Sequence, residues 1–380
     1  MKIAFATLYD TKDINRGSGT FYHMSLEMEK QGHKVYYLGP VEFKYPLISR
    51  ILRFFHKIIG RGYKTFLDPF VGRLTGKEIT RRLARLDYDI FITNDFAIAA
   101  YTKTNKPVIL YTDVMITKDY SEKKIPYSRL SGLSFLSLAL SRYTIKKGLK
   151  RVNLCIFPSF WQREEAIKYC PNIAEKIEVI PFGANIEDCG FQVALSRSFE
   201  KIIQKGKIDL LFVGKDWFRK GGDIVVKTIY ELRKRGINAF LHIVGALPPY
   251  SVNENFIKIY GYLDKSKEKD REILNSLYCN CDVFILPSCS EGFVISVLEA
   301  EAYGLPVLAY DVLGVNGAVI DQETGILFKI EQSEIAFANA IEAWFVNPSY
   351  YDRLVKGARK YYEEVGNWKT SISKFIKKIR

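Results

Sequence analysis

Two carboxylates eight positions apart, Glu291 and Glu299, lie in the stretch from Pro287 to Pro306. A pair at this spacing can grip separate hydroxyls of an extended ligand, or it can be plain surface charge. A second stretch, Leu211 to Gly222, carries Lys215, Arg219 and Lys220 directly after an apolar run. Fixed cations there can hold an anionic group. Arg219 and Lys220 are adjacent, so the local backbone decides which of them faces it; a solvated basic face is the plainer reading. Gly17-Ser18-Gly19 offers a loop whose backbone can approach a ligand closely. Asp113, after the run Val108–Tyr111, can accept hydrogen bonds from hydroxyls or cap a turn.

These groups form one site only if strand ends bring them together. Apolar runs of strand length alternate with amphipathic runs of helix length, the pattern of a parallel sheet built from βαβ units. Residues 3–8, 34–38, 89–93, 107–111 and 154–158 read as strands of a first series. Residues 208–213, 240–245, 256–260, 283–287 and 307–310 read as a second series, after a polar, charged connector at 186–207. The reading is an α/β protein with two doubly wound, Rossmann-like domains. Around Glu291 a buried strand runs into a polar loop, and a helix follows from about Val294 to Tyr303. Gly304 is placed to cap that helix, with Pro306 just beyond. Backbone N–H groups of the turn at 292–296 then point out of the carboxyl end of the strand, where open α/β sheets bind ligands and a helix N-terminus accepts a diphosphate.

The Glu291–Glu299 segment resembles the E-x7-E motif of the retaining GT-B glycosyltransferases, closest to the large family 4 group. Pro287-Ser288 before it and Gly304-Leu305-Pro306-Val307 after it fit the same pattern. The resemblance implies the GT-B fold, two Rossmann-like domains facing across a cleft. It implies an N-terminal acceptor domain at 1–186, a nucleotide-sugar domain at 187–360, and a helix at 361–380 crossing back to the first domain. Glu291 would hold sugar hydroxyls and Glu299 the ribose. The backbone of Gly292, Phe293, Val294 and Ile295 would meet sugar and phosphate. Arg219 and Lys220 resemble the pair that neutralises the diphosphate, with Lys215 where the family more often has Arg. Gly17 and Gly19 would approach donor and acceptor, and Tyr262 and Leu263 would flank the nucleobase. The stretch 179–185 resembles the segment between the domains. Asp113 stands where the family often has His.

Implied with these is retaining transfer of a sugar from a nucleotide-diphosphate sugar to a hydroxyl of a glycan or lipid-linked acceptor, in cell-surface polysaccharide or glycolipid synthesis. The leaving diphosphate oxygen would take the acceptor proton, with neither metal nor other cofactor. A nucleotide-sugar 2-epimerase of GT-B fold is the alternative. A non-catalytic glycan- or lipid-binding relative is a third reading, against which the intact Glu291/Glu299 and Arg219-Lys220 pairs speak.

Charge narrows the partners. The chain of 380 residues has a net charge of +14. Residues 1–180 hold 30 Lys and Arg against 17 Asp and Glu, while the remainder holds 26 against 25. The first half therefore faces something anionic: a membrane surface, or a phosphorylated glycan or glycolipid. Nucleic acid ranks last, since no recognised binding pattern is present. Residues 44–86 are basic and apolar at helical spacing. They read either as a helix packed on the sheet with its bases in water, or as a cationic amphipathic surface. Cys155, Cys170, Cys189, Cys279, Cys281 and Cys289 show no CxxC pair, and Cys279 and Cys281 are expected to share a face at the start of a strand. Buried free thiols fit better than disulfides or zinc. The first residues reach Asp10 too soon for a signal peptide, and the apolar stretch 130–140 falls short of the ~20 residues a membrane helix needs. A cytoplasmic chain, peripheral at most to the inner face of the membrane, is the expectation.

Overall fold

The computed structural model describes residues 1–41, 45–115, 134–188 and 190–379. Cys189, Lys44 and residues 130–133, which entered the readings above, lie outside them. The chain divides into two compact units, 1–180 and 181–380, against a boundary expected after residue 186.

Each unit is built on a six-stranded parallel sheet. In the first, β1 (Lys2–Ala6), β2 (Lys34–Tyr37), β3 (Ile90–Thr93), β4 (Val108–Tyr111), β5 (Leu154–Phe157) and β6 (Ile177–Val179) lie in the order β2-β1-β3-β4-β5-β6. In the second, β7 (Ile208–Gly214), β8 (Ala239–Gly245), β9 (Ile257–Gly261), β10 (Val283–Leu286), β11 (Val307–Tyr310) and β12 (Gly325–Phe328) lie in the order β12-β11-β10-β7-β8-β9. Central strands β3, β4, β10 and β11 are buried at every residue. That is why they read as unbroken apolar runs rather than as alternating ones. The strand order reverses between β1 and β3 in one unit and between β7 and β10 in the other. A reversal leaves a crevice at the carboxyl ends of the two strands, because their crossovers leave on opposite sides.

Seven of the described turns into helices carry their own cap. Asp68, Asp95, Ser134, Ser198, Asp216 and Ser333 each accept a backbone N–H of the turn they open, and Ser159 forms a reciprocal capping box with Gln162. These contacts satisfy donors that a helix start leaves open.

Three readings change. Residues 191–205 are not an open connector: Phe191–Ser196 and Phe199–Lys205 are helices of the second unit. Fully buried Phe199 packs edge-on to Phe345 and Tyr351, an anchor that the surrounding polar residues mask. Cys279 lies near the end of the Glu268–Asn280 helix and Cys281 follows as its cap, so they do not share a strand face. The 44–86 segment holds two α-helices: Pro69–Leu83 packs Val71, Ile79 and Leu83 inward, while Leu47–Ile58 buries Ser49 and His56 and exposes its large apolar side chains apart from half-buried Leu52. Among the described cysteines all are free; Cys155, Cys170 and Cys281 are buried. No described helix is long and apolar enough to cross a membrane.

Glu301, in the Ile295–Ala302 helix, is fully buried and neither of its carboxyl oxygens has a hydrogen-bond partner. Burial pushes its pKa well above the ordinary carboxylate value, and the nearby Thr324 hydroxyl offsets this only in part. The folded state thus holds a proton that the unfolded chain releases near the usual carboxylate pKa. The stability it contributes is complete below that value and is lost as pH rises towards the raised folded value. Glu301→Gln is expected to flatten the decline in Tm as pH rises above the ordinary carboxylate range. Melting curves of both proteins from that range upward check this, and parallel declines would refute it.

Candidate active site

The crevice between β7 and β10 collects the residues with chemistry. After Gly214 the chain makes a one-turn helix, Trp217–Lys220, opened by Asp216 and closed by Gly221. Trp217 is nearly buried, edge-on to Phe212 and Tyr250, and its indole N–H donates to Asp223 at 2.8 Å. Gly221 has φ +77°, and a Cβ there would overlap the carbonyl oxygen of Pro287. Only glycine allows this approach of the loop after β7 to the loop after β10. The Arg219 carbonyl accepts the Cys289 N–H at 2.8 Å and seals the joint.

Held in this way, three charged groups meet. Oε1 of Glu291 accepts from Arg219 Nη1 at 2.8 Å, Lys220 Nζ at 2.6 Å and Ser288 Oγ at 2.5 Å. Burial opposes ionisation of Glu291, yet the Lys220 and Arg219 charges, aided by hydrogen bonds from Lys220 and Ser288, hold its carboxyl below the ordinary range. It is an anion between two cations. Arg219 is further tied, through Nε to Asp216 at 3.1 Å and through Nη1 to the Ser290 carbonyl at 2.9 Å. The local fold thus makes Arg219 a fixed brace, with Lys220 the second cation on the same carboxylate oxygen.

The helix behind Glu291 starts at Ile295, and no side chain caps it at Val294. Its first N–H groups therefore point into the crevice end of β10, the arrangement that binds phosphate. Gly304, with φ +68°, ends the chain's turn out of that helix, and its N–H returns to the Glu301 carbonyl. Phe293 and Val294 are buried, Phe293 edge-on to Phe182, so this stretch offers backbone rather than side chains. Glu299 is buried one turn deeper. Its Oε1 takes Lys265 Nζ at 2.5 Å and its Oε2 takes the Tyr278 hydroxyl at 2.9 Å. Lys265 also reaches the carbonyl of Asn185 at 3.4 Å. Lys215 Nζ lies 4.4 Å from the centre of the exposed Tyr262 ring, and Leu263 follows half-buried.

In the first unit the same rule applies at β1 and β3. Gly17, Ser18 and Gly19, in the loop after β1, all have positive φ. A Cβ on Gly17 would overlap the Tyr9 hydroxyl, which accepts from Asn94 Nδ2 at 3.4 Å in the loop after β3. Burial raises the pKa of Tyr9, and the Asp113 charge adds to it. Asp113, after β4, accepts Gln162 Nε2 through its backbone carbonyl at 2.8 Å. Gly17, Gly19 and Asp113 thus sit at the carboxyl end of one sheet, and Glu291, Arg219, Lys220, Glu299, Lys215 and Tyr262 at that of the other.

Sequence reasoning missed Ser288, Lys265, Tyr278, Tyr9 and Asn94. Ser288 was in view as part of the motif, without a role. Lys265 and Tyr278 stand 34 and 21 positions from Glu299, and no local spacing links them. Beside this site, next to Phe182, Trp368 opens the last helix, Trp368–Ile379. Its indole N–H donates to Asn185 Oδ1 at 2.8 Å, and Ser371 donates to the Pro181 carbonyl at 2.7 Å.

Two units of parallel sheet, each with its functional loops at a strand-order reversal, define a two-domain α/β protein of the GT-B type. Comparison with known proteins agrees. The model of glycosyl transferases group 1 matches residues 196–361, and that of glycosyltransferase family 4 matches residues 19–188. The chain belongs to the family 4 glycosyltransferases. An uncharacterised 41.2 kDa protein of the Klebsiella pneumoniae cps region is 29% identical over 182 residues, 44% of this chain and 47% of that one, so the match spans about half of each. The capsular polysaccharide biosynthesis glycosyltransferase CapM of Staphylococcus aureus is 22% identical over 367 residues, 88% of this chain and 93% of that one. Among solved structures, Anabaena HepE in complex with UDP and glucose superposes with a TM-score of 0.67 at 14% identity, covering 100% of this chain and 99% of that one.

Lys265→Met is expected to leave the buried Glu299 charge with Tyr278 as its remaining side-chain donor and to destabilise by about 1–3 kcal/mol, or several degrees in Tm. Combined with Glu299→Gln, the loss should be smaller than the sum of the two single losses. Thermal melts of the four proteins measure the coupling, and strict additivity would show that the pair does not interact.

Proposed function

We propose that this protein is a retaining glycosyltransferase that moves a hexosyl group from a nucleoside-diphosphate sugar to a hydroxyl of a glycan or lipid-linked acceptor in cell-surface polysaccharide synthesis. The observation that carries the reading is the Arg219–Glu291–Lys220 cluster at the β7/β10 crevice. Asp216 and Glu291 balance Arg219 and Lys220, and the cluster sets the Lys220 ammonium beside an uncapped helix start. The ammonium and the helix start both favour a diphosphate.

In this reading the donor diphosphate lies between the Gly292–Ile295 backbone and Lys220. As the bond from the anomeric carbon to the diphosphate oxygen breaks, negative charge grows on that oxygen, and Lys220 and the helix N–H groups are already oriented towards it. Arg219 keeps Glu291 ionised and in place, and Glu291 accepts hydrogen bonds from the sugar. Glu299, oriented by Lys265 and Tyr278, takes the ribose hydroxyls. The acceptor hydroxyl attacks the face that the diphosphate leaves, and the departing oxygen takes its proton, so the anomeric configuration is kept. Asp113, with Gly17 and Gly19, belongs to the acceptor side. A polysaccharide acceptor is supported by the similarity to CapM, and a uridine nucleotide donor by the HepE complex with UDP and glucose.

A thermal-shift screen against nucleoside diphosphates and their sugars identifies the donor, since a ligand of the native state raises Tm. With that donor, Glu291→Gln should lower turnover by at least about a hundredfold without loss of cooperative melting. Lys220→Ala should lower kcat more than donor affinity, and Glu299→Ala should weaken nucleotide binding about ten- to a hundredfold. Near-normal transfer by Glu291→Gln would overturn the assignment. Conversion of the donor without any acceptor would instead identify an epimerase.

A further inference from the structure

The Leu47–Ile58 helix of the first unit is built inside out. Its two buried side chains are Ser49 and His56, seven positions apart on one face. The His56 ring hydrogen-bonds the Ser134 hydroxyl, and Ser134 N–H donates to the Gly62 carbonyl at 3.3 Å. Leu47, Ile51, Phe54, Phe55, Ile58 and Ile59, by contrast, are 45% to 70% exposed. At 3.6 residues per turn these six sweep an arc of roughly 140°. Arg50, Arg53 and Lys57 fall together on a third sector, between the anchored face and the apolar arc. The anchor at Ser134 also places Phe135, 89% exposed, beside the end of the helix.

A surface of this kind is unlike the scattered exposed apolar residues of ordinary proteins. It is contiguous, borne on one helix, and fixed to the unit by its polar side. Charge says what covers it. Residues 45–67 carry five Lys or Arg and not one Asp or Glu. A second copy docked about a twofold axis would set these cations against their own kind. A bilayer bearing anionic headgroups satisfies both sectors at once: the rings and branched chains enter the acyl boundary, and the cations remain at headgroup level.

We propose that the Leu47–Ile58 helix, with Phe135, is a docking surface for anionic phospholipid bilayers. The proposal rests on the first unit alone and stands or falls apart from the donor chemistry. The full chain is tested by flotation with vesicles of phosphatidylcholine, and of an equimolar mixture with phosphatidylglycerol, at low and high salt. The expected result is recovery with the anionic vesicles, reduced by salt and weak on phosphatidylcholine. Phe54→Ser together with Phe55→Ser should cut the partition by at least about tenfold, since two rings no longer leave water. Both side chains are exposed, so the melting curve should not move. Arg50→Gln, Arg53→Gln and Lys57→Gln combined should abolish the preference for anionic lipid. Equal recovery on the two lipids would overturn the proposal, as would unchanged partition of the double Phe variant. A dimer in light scattering that dissociates in that variant, without vesicle binding by the parent chain, would assign the face to self-association instead.

Discussion

The carboxylate of Glu291, buried between Arg219 and Lys220, is the interaction on which the second unit is organised. An ion taken out of water is destabilising by several kcal/mol unless its partners are close and well directed. Here they are close because the one-turn Trp217–Lys220 helix is wedged by Trp217, and because Gly221 lets that turn touch the Pro287 carbonyl. Neither loop forms the cluster alone. One leaves β7 and the other leaves β10, and they meet because the sheet order sets those strands side by side. The crevice, the uncapped helix start and the paired cations all follow from that adjacency.

The Ile295–Ala302 helix shows how burial sorts chemically equal groups. Glu299 and Glu301 are two residues apart and therefore face nearly opposite sides of the helix. Glu299 looks towards the strand ends, where Lys265 and Tyr278 complete it. Glu301 looks into packed apolar structure, where the Thr324 hydroxyl is the neighbour that helps it least badly, and it holds a proton instead. Identical side chains end in different surroundings because the partners that reach them differ, not because of their order in the chain.

A similar inversion separates the Leu47–Ile58 helix from those that build the core. An amphipathic pattern states that one face is apolar, not which face meets the protein. The anchoring hydrogen bond of His56 to Ser134, across 78 residues, settles that the polar face is inward. The surplus positive charge of residues 1–180 is consistent with an anionic partner for that unit as a whole.

By itself the sequence determined whatever depends on neighbours along the chain. Unbroken apolar runs became the buried strands β3, β4, β10 and β11; the helix expected from about Val294 to Tyr303 runs over Ile295–Ala302; Gly304 took the left-handed turn. Strand propensity, helical period and turn chemistry act over a few residues, so they are legible there. The spacing of Glu291 and Glu299, and the cations at 219 and 220, were legible as a resemblance for the same reason, since the motif is continuous. What only the tertiary structure decided involves pairs far apart: Glu291 with Arg219 across 72 residues, Glu299 with Lys265 and Tyr278, and Tyr9 with Asn94 across 85. Phe199 likewise turned a polar connector into docked helices, because its ring found Phe345 and Tyr351. These contacts are fixed by which strands lie side by side and which faces are buried. Both are properties of the whole sheet, which no local window of sequence contains.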